Sequence, residues 1–128
     1  MSASISIRNK TRAEFPRLPF EKMKVVILGR SYDLSLTFIG DTRSQSLHKK
    51  YMGKDSPTNI LSFPLSKASG EILINLTRAK KEAPRFKMSY TGYVGFLFIH
   101  GLLHLEGHRH GSTMTRKERE FVKKFNLS

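Results

Sequence analysis

Residues 90–110 read YTGYVGFLFIHGLLHLEGHRH. Val94, Phe96, Leu97, Phe98, Ile99, Leu102, Leu103 and Leu105 make this stretch apolar nearly all the way round a helix. That pattern predicts a central buried helix from Tyr90 to Glu106. Two histidines interrupt it. His100 and His104 are separated by about 400° of rotation and about 6 Å of rise, so they share one face. Two imidazoles buried there without partners would each cost about 1–3 kcal/mol, and a shared metal ion removes that cost. On a continued helix His110 would lie about 240° round and about 9 Å beyond His104, out of reach. The helix must therefore end between them, and Gly107 is the residue that ends it. Glycine takes the left-handed conformation past a helix end with no Cβ penalty. The chain then turns back and brings His110 to the same ion, at metal–nitrogen distances expected near ~2.0–2.1 Å.

Three protein ligands leave the fourth tetrahedral position of a zinc ion open, which is the catalytic arrangement. Zinc in such a site lowers the pKa of a bound water from about 15.7 to about 7. The expected cofactor is one Zn²⁺ on His100, His104 and His110. The expected reaction class is hydrolysis by the metal-activated water, with no side chain named as a catalytic base. The spacing H-x3-H-x2-G-x2-H is also that of metzincin proteases, which need a Glu directly after the first histidine. Here that position is Gly101. Glu106 lies about 160° round the helix from His104 and is no substitute. A peptidase is therefore disfavoured.

The rest of the composition bounds the partner. The chain has 128 residues, 38% of them hydrophobic and nine of them Phe, which predicts a single folded domain over 1–128 with a substantial core. It has no cysteine, so a metal site must use nitrogen and oxygen ligands. Lys and Arg number 23 against 10 Asp and Glu, a formal charge of +13. That excess favours a polyanion, because neutralising phosphates releases condensed counterions. Met1 to Ser6 lacks the apolar core of a signal peptide. Val94 to Leu105 is too short to span a bilayer, and no basic amphipathic helix stands out. A soluble cytoplasmic protein with no membrane partner is expected.

Around the central helix, strands and helices are interspersed without strict βαβ alternation. Ser4 to Arg8 suits a short first strand. Phe20, Met23 and Ile27 recur at helical spacing, with Gly29 as a stop. Asp33 to Ile39 alternates, placing Leu34, Leu36 and Phe38 on one face of a half-buried strand. Asp41 is the expected N-cap of a helix running to about Met52, with Leu47 and Tyr51 inward and Gly53 ending it. Asn59 to Phe63 reads as a strand closed by Pro64, Glu71 to Asn75 as another, and Thr77 to about Ala83 as a short helix. In the last helix, Thr115 and Glu118 have capping-box spacing, and Met114, Phe121, Val122 and Phe125 form its buried stripe. The fold class expected is α+β: a small mixed sheet packed by helices, with the central metal-binding helix followed by a glycine break.

Two blocks of residues together resemble a known family. His100-Gly101, Leu103-His104-Leu105, Gly107 and His110 match the HGxLHLxGYDH signature of YbeY-type endoribonucleases, the ribosomal RNA maturation factors. Tyr51, Gly53-Lys54-Asp55, Pro57-Thr58-Asn59 and Leu61-Ser62-Phe63-Pro64 resemble that family's YRGKDxPTNVLSFP, and Gly70-Glu71-Ile72 its later GDI element. The resemblance runs from about Leu34 onward. It implies a single-strand-specific, metal-dependent endoribonuclease of ribosomal RNA processing, acting on single-stranded or ribosomal RNA and associated with the small ribosomal subunit. No DNA partner is expected.

Departures from the pattern bear on the substrate contacts. The Arg that follows the Tyr in the family is Met52 here, and methionine cannot bind phosphate. Lys49, Lys50, Lys54 and Arg109 are the candidate RNA-binding residues, although lysine lacks the bidentate fork. His108-Arg109 stands in place of the family's Tyr-Asp, and the motif alignment favours His110 over His108 as third ligand. Ser62 and Thr58 are expected to order the loop and strand edge rather than act as nucleophiles. His48 is read as incidental, on the surface side of its helix. The cluster Arg78, Lys80, Lys81, Arg85 and Lys87 is equally a solvated face or an RNA track. The alternative function is a non-catalytic, zinc-containing ribosome-binding factor, motivated by Met52.

Overall fold

The computed structural model describes residues 4–128. Four strands form one mixed sheet in the order β1-β2-β4-β3. They are β1 (Ile5–Asn9), β2 (Asp33–Ile39), β3 (Ile60–Ser66) and β4 (Ser69–Asn75). β1, β2 and β4 run parallel, while β3 pairs antiparallel with β4 at the edge. The helices are α1 (Phe20–Leu28), α2 (Asp41–Met52), α3 (Leu76–Glu82), α4 (Tyr90–Glu106) and α5 (Ser112–Lys124), with a 3₁₀ turn at Ala83–Phe86. The expected α+β class and mixed sheet are borne out.

The period of two along the strands explains the layering. Leu34, Leu36 and Phe38 of β2, with Ile72 and Ile74 of β4, face the main core beneath α1, α4 and α5. The intervening Ile39 and Leu73, with Leu61, form a second cluster capped by Leu47 of α2 and by Phe63. β2 is therefore covered on both faces, and Thr37 on its second face is only 5% exposed. The expected half-buried strand is corrected on this point, because α2 folds back over the face assumed to meet solvent.

Three local expectations are corrected as well. Asp41 does not cap α2: Gly40 is the N-cap and no side chain closes the end. Its carboxylate accepts from Asn75 Nδ2 at 2.8 Å and lies 3.5 Å from Arg78 Nε, tying α2 to the junction between β4 and α3. Tyr51, expected inward, is 57% exposed and rests against Phe63 at 5.2 Å. Pro64 does not end β3, which continues to Ser66. An edge strand tolerates a residue that cannot donate to the ladder.

α4 packs against α1, α5 and the β3–β4 hairpin. Ser89 caps it, its Oγ accepting from the Gly92 N–H at 3.0 Å. At the other end Gly107 is left-handed with φ +109°, and its N–H donates to the His104 carbonyl at 3.0 Å. The His108 N–H donates to the Leu103 carbonyl at 3.0 Å. The break expected at Gly107 is present, closed by the paired bonds typical of a glycine-terminated helix. A Cβ at Gly101 would stand 3.0 Å from Ile60 Cδ1 and 3.0 Å from Ile72 Cδ1. Glycine at this point lets α4 lie close against β3 and β4, which sets the depth of the site.

Candidate metal centre and its cleft

Two histidines come from the last turns of α4 and the third from the loop beyond Gly107. The ligand atoms of His100, His104 and His110 lie within 4.8 Å of one another. The rings pack at centroid distances of 4.7 Å for His100–His104 and 5.1 Å for each ring to His110. His108 is turned elsewhere: its Nε2 lies 3.0 Å from Glu106 Oε1 and 3.3 Å from Lys117 Nζ.

The donor set suits a divalent first-row ion that binds neutral imidazole. His100 Nδ1 lies 2.7 Å from Glu118 Oε2, and Glu118 is only 9% exposed. An ionised carboxylate only accepts, so Nδ1 carries the proton and Nε2 is left as the ligating nitrogen. The pKa of His104 is held below its ordinary 6.5, chiefly by burial and next by the neighbouring His100 and His110. It therefore remains in the neutral form that binds metal at ordinary pH.

Glu118 was expected to close a capping box, and that reading is corrected. α5 begins at Ser112 with Gly111 as its N-cap, and the Glu118 carboxylate reaches inward to α4. The signal was present in the sequence. Met114, Glu118, Phe121, Val122 and Phe125 follow one helical stripe, and a carboxylate in the middle of a buried stripe needs a partner. Glu118→Ala is expected to weaken metal binding by roughly 10- to 100-fold, with Glu118→Gln falling between it and the native protein. Metal titration against a chromogenic chelator measures this. Native affinity in the alanine variant would show that His100 orients without its partner.

The histidines open onto a cleft of about 760 Å³. One wall is α4, from Tyr93 through Phe96 to His104; the other is β3 with Met52 and His48 of α2. His48 thus lies in the cleft wall, because the later turns of α2 contribute to it. Its Nδ1 is 2.8 Å from the Ser56 carbonyl, which leaves Nε2 as the polar atom it can present. Ser62 Oγ donates to the Gly101 carbonyl at 3.2 Å and joins β3 to α4, in line with the ordering role expected of it. Thr58 is held by Ser44, whose Oγ accepts from its N–H at 2.8 Å and donates to its carbonyl at 2.7 Å.

A buried polar group supports the floor of the cleft. The Tyr93 hydroxyl donates to Glu82 Oε1 at 2.7 Å, and Asn59 Nδ2 donates to the same oxygen at 3.0 Å. Burial, and after it the Glu82 carboxylate, push the Tyr93 pKa well above the usual 10. Tyr93 therefore stays a phenol, locked as a donor.

Among the described residues, no Lys or Arg lines this cleft. Lys49, Lys50, Lys54 and Arg109 are all exposed and lie outside its lining. Lys49 Nζ is 3.8 Å from Asp55, and Lys50 Nζ lies 5.3 Å from the centroid of the Tyr51 ring. No helix among the described residues is long and apolar enough to cross a membrane.

The α+β fold thus gathers three imidazoles, a set that could hold a metal ion, at a cleft open to a substrate. The chain belongs to the endoribonuclease YbeY family: the family model described as Endoribonuclease YbeY matches residues 5–126. A Nautilia profundicola protein named Endoribonuclease YbeY is 35% identical over 130 residues, spanning 96% of this chain and 92% of that protein. One of the same name from Syntrophus aciditrophicus is 31% identical over a 141-residue alignment, spanning 94% of this chain and 88% of its own length. The fold is similar to the solution structure of a Thermotoga maritima protein, with a TM-score of 0.68 at 20% identity, covering 94% of this chain and 88% of that one. The resemblance read from the two motif blocks is borne out.

Proposed function

We propose that the chain is a zinc-dependent endoribonuclease that cuts single-stranded RNA during ribosomal RNA maturation, with His100, His104 and His110 as the ligands of one Zn²⁺. The observation that carries this reading is the convergence of three imidazoles, one of them oriented by a buried carboxylate, at a cleft in an endoribonuclease-family chain of charge +13. When bound, the ion supplies Lewis acidity and an acidified water, the chemistry a phosphodiester requires. Glu118 keeps the His100 proton on Nδ1, and burial keeps His104 neutral. Lys49, Lys50, Lys54 and Arg109 hold RNA phosphates from outside the cleft, and counterion release makes their contribution strongly salt-dependent. Residues 1–128 act together as one domain, in the cytoplasm, with the small ribosomal subunit as partner and no DNA substrate.

Metal analysis paired with RNA cleavage tests the proposal. The purified protein is expected to carry about one ion per chain, the ligand count leaving one position open. Chelation should stop cleavage of a single-stranded oligoribonucleotide, and added zinc should restore it. Undiminished cleavage by the metal-free protein would sink the proposal. The second reading, a ribosome-binding factor without catalysis, is favoured by Met52 in the cleft wall and by the lack of a lining Lys or Arg among the described residues. It requires folded metal-site variants to bind ribosomal RNA and function as well as the native chain.

A further inference from the structure

Phe86 ends the 3₁₀ turn and is 59% exposed, yet it lines the same cleft as the histidines. Its ring is stacked on Tyr93 at 5.2 Å with an interplanar angle of 15°. Tyr93 is in turn stacked with Phe96 at 6.0 Å and 20°, and Phe96 lies 6.4 Å from the His100 ring. Aromatic rings thus lead from the mouth of the cleft to the imidazoles. The ring beneath Phe86 is anchored, since Tyr93 is 1% exposed and its hydroxyl is bound to Glu82. The outer end is unfinished: Phe86 has a ring on one side and remains largely in solvent.

Charge and shape favour one occupant. Arg85 and Lys87, the neighbours of Phe86 in sequence, are both exposed, whereas no Lys or Arg among the described residues lines the cleft itself. The cleft thus offers flat aromatic and apolar contact beside its polar groups but no described lysine or arginine, and side-chain cations for phosphate must come from outside its lining. Exposed aromatic rings in positively charged surroundings are what unpaired bases stack on in single-strand binding proteins.

Resting on the endoribonuclease reading, we infer that Phe86 is the stacking platform for an unpaired nucleobase of the RNA substrate, with Arg85 and Lys87 beside the adjoining phosphates. A base inside a duplex already has neighbours on both faces and cannot offer one to Phe86. The platform thereby selects single strands. It also divides the cluster Arg78, Lys80, Lys81, Arg85 and Lys87. Arg78 is tied to Asp41, while Arg85 and Lys87 are exposed and flank Phe86 in sequence.

The test compares the native chain with Phe86→Ala, Phe86→Leu and Phe86→Trp, each checked for native metal content. Binding is read with a single-stranded oligoribonucleotide carrying 2-aminopurine, whose fluorescence reports stacking, and cleavage is read as KM and kcat separately. Phe86→Ala is expected to weaken binding by roughly 5- to 150-fold, the range found for one stacked base. The loss should fall mainly on KM, with metal content unchanged. Phe86→Leu, apolar but not flat, should lose nearly as much, and Phe86→Trp should hold or improve affinity. Native affinity in Phe86→Ala, or full rescue by leucine, overturns the platform while leaving the endoribonuclease reading intact. Absence of binding and cleavage in the native protein overturns the endoribonuclease reading and the platform with it.

Discussion

His104→Ala is expected to leave the purified protein nearly free of metal and to lower RNA cleavage by on the order of 10³-fold or more. Three imidazoles are the only groups of His, Cys, Asp or Glu gathered closely enough to hold an ion among the described residues. Removing one leaves two ligands and two open positions, and affinity for a divalent ion then falls steeply. On the proposed mechanism the activity follows the ion, because the ion would supply the acidified water. His104 is the most informative of the three to replace. Replacing His100 would also strip Glu118 of its partner, at 2.7 Å, whereas His104 has no such carboxylate contact among the described residues. Its removal also relieves burial of a polar ring, so folding is expected to survive. Elemental analysis and a cleavage assay on one preparation decide the matter. Native metal content in the variant would take His104 out of the ligand set.

Gly101→Glu is expected to lower stability by about 3–5 kcal/mol and to create no peptidase. This substitution writes the metzincin pattern into the chain, since Glu would then follow the first histidine. The packing denies that residue any use. A Cβ at position 101 already meets Ile60 and Ile72 at 3.0 Å, so the side chain points into the interface between α4 and the sheet. A carboxylate there is buried among methyl groups with no cation, and α4 must move off β3 and β4 to relieve it. That movement carries His100 and His104 with it, so metal should be lost alongside stability. Urea unfolding followed by circular dichroism, together with metal analysis, reads both effects. A variant of native stability that cleaves peptide would reverse the assignment of this face.

The legible parts of the fold were those with strong periodicity. The α4 stripe, the alternation in β2 and the Gly107 stop depend on neighbours within a few residues, and each lies where its pattern placed it. The less legible parts depend on what packs across. Thr37 is buried because α2 covers the far face of the sheet, and β3 runs through Pro64 because it lies at the edge. Asp41 has the side chain of a cap, yet it is drawn to Asn75 and Arg78, partners remote in sequence. The same division runs through the site. The three histidines were read from spacing along one helix and one turn. Glu118 was misread, and the place of His48 in the cleft wall was not foreseen, because each sits at a surface that only the folded chain brings together.

The sequence by itself determined the three imidazoles, the glycine that turns the third back to the other two, the excess of positive charge and the family. These are local or compositional properties, set by 3.6 residues per turn and by the left-handed freedom of glycine. Tertiary structure alone decided how those imidazoles are held and what surrounds them. Packing α5 on α4 places Glu118 on His100 Nδ1, and folding the chain at residues 83–87 over α4 sets Phe86 upon Tyr93. It also leaves the cleft lined by aromatic, apolar and polar groups, with the described lysines and arginines outside it. Charge counts along a chain carry no direction, and only packing assigns each side chain to a wall, a rim or a core.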